Sequence, residues 1–206
     1  MLMFKIKKKL NFDPNDPVMQ EQFYTIYQQL KKSGKQIFTV VSVKDRGVVA
    51  SLIVNIGLVF AEMKKKVLLV DVNFSDPKLH LLLRSNHMTT INDVIVSSDL
   101  NYESFSSDCS EYLYYIPAQK TVHNGTTLVS MDEFDNLIHI WKGEFDYIFF
   151  YSSEIFDSST THIITGKCEG VVLAVKKRQD SLRAVQKVIR NMERKECELR
   201  AIVLYS

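Results

Sequence analysis

The residues able to do chemistry in this 206-residue chain are scattered rather than clustered. Its three cysteines, Cys109, Cys168 and Cys197, are odd in number and share no C-x-x-C spacing, so they read as reduced, packed thiols and not as a disulfide framework or a zinc site. None of the five histidines, His123 and His139 included, has metal-ligand spacing to another histidine or to a cysteine, so no metal site and no catalytic histidine is expected. A backbone that wraps a phosphate needs glycines close together. The seven glycines, about half the usual ~7% share, stand apart at Gly34, Gly47, Gly57, Gly125, Gly143, Gly166 and Gly170. The clearest acidic position is Asp71, which closes an apolar run and so sits where strand ends present groups to a ligand.

The elements that must position these residues follow from periodicity. Asp16 then Pro17 reads as a helix cap and first helical residue, Phe23, Ile26, Tyr27 and Leu30 recur at helical spacing, and Gly34 supplies the stop. Ile37 to Val41 is a β-rich run, Val48 to Phe60 is apolar at helical length, and Val67 to Val70 is a second buried-type strand: a β-α-β unit. Further strands are expected at Tyr114 to Ile116, Tyr147 to Phe150, Val171 to Val175 and Ala201 to Leu204. Helices at about Met131 to Lys142 and Asp180 to Arg194 alternate with them. The fold class is therefore α/β, with a mostly parallel central sheet covered by helices on both faces. Ligands in such sheets sit beyond the carboxyl ends of strands, here after Val41, Val70, Phe150 and Leu204.

Composition narrows the classes of function. With 26 Lys and Arg against 24 Asp and Glu, the net charge is +2, which gives a nucleic-acid partner no support. The longest apolar stretches fall far short of the ~20 residues a membrane helix needs, and no export signal follows the basic start at Lys5, Lys7, Lys8 and Lys9, so a cytoplasmic location is expected. Those lysines read either as a solvated terminus or as a contact for acidic lipid headgroups. The chain is read as a basic lead-in over 1–15 followed by a single domain over 16–206.

The stretch "KKKVLLVDVNFSDPKLHLLL" (Lys64 to Leu83), with Asp71, Asn73, Pro77, Leu79 and His80, resembles the Walker A′ segment of bacterial tyrosine kinases of capsular and exopolysaccharide biosynthesis, the CpsD/CapB group related to MinD and ParA. Upstream, "FTVVSVKDRGVVASLIVNIGLVFAEMKKKV" resembles that family's strand, P-loop and following helix. Downstream, "YYIPAQ", "FDYIFFYSSEIFD" and "EGVVLAVKKRQDSLRAVQKVI" resemble its later strands and the penultimate helix. The resemblance spans about Asp16 to Leu204 and implies a P-loop NTPase-like, MinD/ParA-like three-layer sandwich.

The same comparison implies that the chemistry is lost. A phosphate loop needs G-x-x-x-x-G-K-S/T, because close backbone amides, a lysine and a metal-ligating hydroxyl bind the phosphates. Here Val48, Val49 and Ala50 stand at the second glycine, lysine and first hydroxyl positions. Lys44, Arg46, Gly47 and Ser51 remain as a relic, read either as a residual anion site at a helix N-terminus or as a loop of solvated charges. Tyr151, a phenol with a pKa of about 10, replaces the magnesium-holding aspartate, with Ser152, Ser153 and Glu154 after it. Tyr205 stands at the adenine-reading asparagine. Asp71 is retained, as a relic of the residue that positions the attacking hydroxyl or as a strand-end turn residue.

The family's E-x-x-R-x-x-R oligomer helix has Glu21, Tyr24 and Tyr27 at the matching positions, an interaction face without the arginines that make bidentate ion pairs. Tyr27 also belongs to the apolar stripe. The sequence runs to Ser206, just past the last strand, so the family's tyrosine-rich tail is not expected. The resemblance then implies a pseudokinase-like, non-catalytic binding subunit of capsule or exopolysaccharide biosynthesis. It would need no cofactor and would be held at the inner face of the membrane by a membrane polysaccharide co-polymerase or an active kinase paralogue, as a homo- or hetero-oligomer. The alternative is a residual Mg·ATP-binding autokinase or a ParA/MinD-like ATPase of that pathway, of cellulose secretion or of cell division.

Overall fold

Strands buried along their whole length can form only where both faces of a sheet are covered. In chain order the elements of the computed structural model are β1 (Leu2–Ile6), α1 (Pro17–Lys32), β2 (Ile37–Ser42), α2 (Val48–Glu62), β3 (Val67–Asp71), α3 (Leu79–Leu82), α4 (Ile91–Ser97), β4 (Ser106–Ser107), β5 (Ser110–Ile116), α5 (Gly125–Val129), α6 (Asp132–Glu144), β6 (Tyr147–Tyr151), α7 (Ser159–Lys167), β7 (Gly170–Lys176), α8 (Leu182–Glu193) and β8 (Leu199–Tyr205). The structure describes residues 2–6, 17–44, 47–83, 89–97, 105–120, 125–152, 158–193 and 198–205. Every residue of β2, β3 and β6 is buried.

The strands form one sheet in the order β1-β8-β7-β2-β6-β3-β5-β4, parallel except where β4 meets β5. The expected mostly parallel sheet is thus present, with helices on both faces. Alternation along β6 shows the two sides: Tyr147, Phe149 and Tyr151 pack with α1 and α2, while Ile148 and Phe150 pack with α4, α6 and α7. A third cluster joins Val188 and Met192 of α8 to β7 and β8. Between α1, α2 and the sheet, Phe60 meets the rings of Tyr27, Tyr147 and Phe149 edge-on at 4.8, 4.6 and 5.3 Å.

Helix α2 is apolar on nearly all sides because it lies between α1 and the sheet. At Gly57 the helix approaches the sheet tightly: a Cβ there would stand 3.0 Å from Leu69 Cδ2 and 3.1 Å from Leu113 Cδ1. At the amino end of β2, Glu169 accepts from the Gln36 and Ile37 amides at 2.8 and 3.1 Å and from Lys142 Nζ at 2.8 Å. Burial pushes this carboxyl upward, but the lysine and the two amides together hold it below the ordinary glutamate value.

Part of the segment expected as a lead-in over residues 1–15 is ordered into the sheet. Leu2–Ile6 is a strand that runs parallel to β8, with Leu2 opposite Ala201 and Ile6 opposite Tyr205, so the sheet begins inside that segment. The expected cap at Asp16 lies outside the described residues, and the strand expected at Tyr114 begins earlier, at Ser110. Among the described residues no helix is long and apolar enough to cross a membrane.

Candidate functional site at the strand ends

The parallel order brings the carboxyl ends of β2, β6 and β3 side by side, and each feeds a residue that the sequence marks out. After β2 the chain turns at Gly47, whose backbone is left-handed (φ 77°, ψ 3°), and α2 begins with no side-chain cap. A glycine adopts that conformation at little cost. Val49 and Ala50, in the first turn, are fully buried in the core beneath α1, Val48 packs against the same cluster, and Ser51 is half-buried. Lys44 is exposed, while Arg46 and Glu154 lie outside the described residues.

Asp71 ends β3 fully buried, and its carboxyl is held by main-chain donors. Oδ1 accepts from the Asn73 amide at 3.0 Å; Oδ2 accepts from the amides of Lys78 at 3.0 Å and Leu79 at 3.2 Å. Burial drives its pKa up to about 7, the three amides pull against that rise, and the nearby charge of Asp76 adds to it. The geometry makes Asp71 the pin that closes the 73–79 turn.

Tyr151 ends β6, also fully buried, and its hydroxyl accepts from Asn73 Nδ2 at 3.1 Å. Asn73 Oδ1 in turn accepts from Ser75 Oγ at 2.9 Å. The phenol thus belongs to the hydrogen-bonded turn rather than standing free toward solvent. Ser152 and Thr39 complete this layer, their hydroxyls 3.3 Å apart. Tyr205 closes β8 and is buried in the same cluster as Val49 and Tyr151.

Sequence reasoning missed Lys78. Its ammonium lies 3.8 Å from where a Cβ on Gly47 would stand, which brings a cation to the amino end of α2, and it pairs with Asp76 Oδ2 at 2.6 Å. Lys78 therefore connects the Gly47 turn to the Asp71 turn. Its place one residue after Pro77 was the available signal. Among the described residues no group of three His, Cys, Asp or Glu is arranged to hold a metal.

The oligomer-helix residues lie elsewhere. Glu21 and Tyr24 (42% exposed) edge a groove of about 320 Å³ between α1 and α2 that Val59, Glu62 and Met63 also line. Tyr27 is 4% exposed and packs on Phe60, so it serves the core and leaves Glu21 and Tyr24 as the outward part of that face.

With this geometry in place, comparison with solved structures defines the class of fold. No family model and no curated protein matches the sequence. The crystal structure of the chimerical protein CapA2B2 superposes with a TM-score of 0.88 at 16% identity, over 98% of this chain and 92% of that one. The kinase domain of the Escherichia coli tyrosine kinase ETK gives 0.84 at 13% identity, over 94% and 77%. The septum site-determining protein MinD from Pyrococcus horikoshii OT3, complexed with Mg-ADP, gives 0.68 at 20% identity, over 82% and 69%. The chain thus has the P-loop NTPase-like α/β fold of bacterial tyrosine kinase domains, as its sequence resemblance implied.

Proposed function

We propose that this chain is a catalytically degenerate, pseudokinase-like relative of the polysaccharide tyrosine kinases, acting as a non-catalytic binding subunit in capsule or exopolysaccharide biosynthesis and export. The observation that carries this reading is the common fate of three positions: Val49, Tyr151 and Tyr205 are all side chains of one buried apolar cluster. Phosphoryl transfer in this fold class depends on positioned cations and carboxylates. Here the first turn of α2 contributes Val48, Val49 and Ala50, and the end of β6 contributes a phenol engaged with Asn73. A Mg-nucleotide does not fit that donor set. Such a subunit works through its surfaces, docked on the cytoplasmic part of a membrane polysaccharide co-polymerase or on an active kinase paralogue at the inner face of the membrane.

A second reading has one observation in its favour. Lys78 supplies a cation beside Gly47, where the α2 backbone amides begin, so a nucleotide phosphate held by Lys78, Lys44 and Ser51 would define a residual autokinase or a ParA/MinD-like ATPase. Calorimetric titration with Mg·ATP and Mg·ADP separates the two. The first reading expects no saturable heat. Micromolar affinity with turnover that Asp71→Ala abolishes would establish the second and remove the first.

A further inference from the structure

Helix α8 buries one face and carries its charge on the other. Val188 and Met192 are buried against β7 and β8, with Ala184, Val185 and Ile189 packed beside them. Arg183, Lys187 and Arg190, at i, i+4 and i+7, are exposed on the opposite side, and the turn ahead of the helix adds exposed Lys177 and Arg178. Like charges at these spacings disfavour an isolated helix. Asp180 accepts from the Lys176 amide at 2.7 Å, Glu193 is the one acid within α8 itself, and no ion pair joins Arg178, Arg183 or Arg190 to an acid among the described residues. The whole chain has a net charge of only +2, so this stripe is a local concentration and not a share of a general excess. Leu182, in the first turn beside Arg183, is 71% exposed.

We propose that the outer face of α8 and the turn before it dock on the anionic lipid headgroups of a membrane surface. Charge complementarity selects an anionic partner, and the form of the patch selects the lipid. It is the outer side of a single helix and, from Lys176 to Glu193, carries no aromatic side chain on which a base could stack. Mobile headgroups need no shaped pocket, and an exposed leucine among cations enters the headgroup boundary while arginine and lysine remain at the phosphates. This docking is independent of the nucleotide question, since it uses the opposite face of the sheet from α2.

Co-sedimentation of the full chain with phosphatidylcholine vesicles, with and without phosphatidylglycerol, tests it. Binding to the anionic vesicles only is expected, weakening as salt rises. Arg183→Gln combined with Arg190→Gln should weaken it about 30-fold, the equivalent of ~1 kcal/mol per lost charge. Leu182→Ser, which keeps every charge, should also weaken it. A variant with Lys7, Lys8 and Lys9 changed to Gln should retain most of the binding. The proposal is overturned by equal binding to neutral vesicles, by no binding to anionic ones, by an unchanged arginine double variant, by loss confined to the lysine variant, or by tighter binding to polyglutamate or RNA than to the vesicles.

Discussion

Asp71 is a buried carboxyl whose donors are all main-chain amides, so its titration reports on the turn it closes. Its folded pKa of about 7 lies above the ordinary 3.8. The folded state therefore holds a proton that the unfolded chain has already released. The resulting stability is fully present below the unfolded value and is lost as pH rises through 7. Between pH 5 and pH 8 the protein should lose about 2 to 3 kcal/mol from this group. Asp71→Asn removes the titration while keeping the shape. Urea unfolding at the two pH values should show the gap between protein and variant narrowing by that amount at the higher pH; a gap independent of pH would refute the assignment. At this scale the sequence was informative about which side chains stand at the strand ends, because Val49, Tyr151 and Tyr205 are visible as residue types. That Tyr151 bonds Asn73 across the strand ends, and that Lys78 reaches Gly47, depend on contacts between segments far apart in the chain.

Two helical glycines isolate the balance between backbone propensity and packing at the scale of an element. Gly143, in the last turn of α6, has nothing within 4 Å of a built Cβ, whereas Gly57 in α2 faces Leu69 and Leu113 at 3.0 and 3.1 Å. Gly143→Ala should stabilise the protein by about 0.5 to 1 kcal/mol through helix propensity. Gly57→Val should destabilise it by about 1 to 3 kcal/mol, because overpacking outweighs any backbone gain. Thermal unfolding of the pair checks both signs, and the same sign for both would contradict the packing described for α2. Long periodic elements such as α1, α2 and α6 were legible from sequence. Helices α3, α4, α5 and α7 were not, since each is at most nine residues long and too short to show a period.

For the molecule as a whole, the sheet edge is the informative feature. β1 covers β8 through a five-residue parallel register, and α1 packs across both strands. Deleting residues 1–6 uncovers the β8 ladder and should cost about 2 kcal/mol, a fall in Tm of about 4 to 8 °C for a chain of this length. It should also increase self-association through the bared strand edge. Calorimetry and light scattering on the truncated protein provide the measurement; an unchanged Tm would mean that β1 is not an integral strand.

The sequence by itself determined the α/β class, the positions of the main strands and helices, and the residue types at the strand ends, Val49, Tyr151 and Tyr205 among them, because periodicity and residue identity are local properties. Only the tertiary structure decided that Val49, Tyr151 and Tyr205 pack into one core, that Asp71 is consumed by its own turn, that residues before α1 extend the sheet, and that the cations of α8 share one outward face. Each of these depends on which segments meet, and the closing of the sheet around α2 sets that.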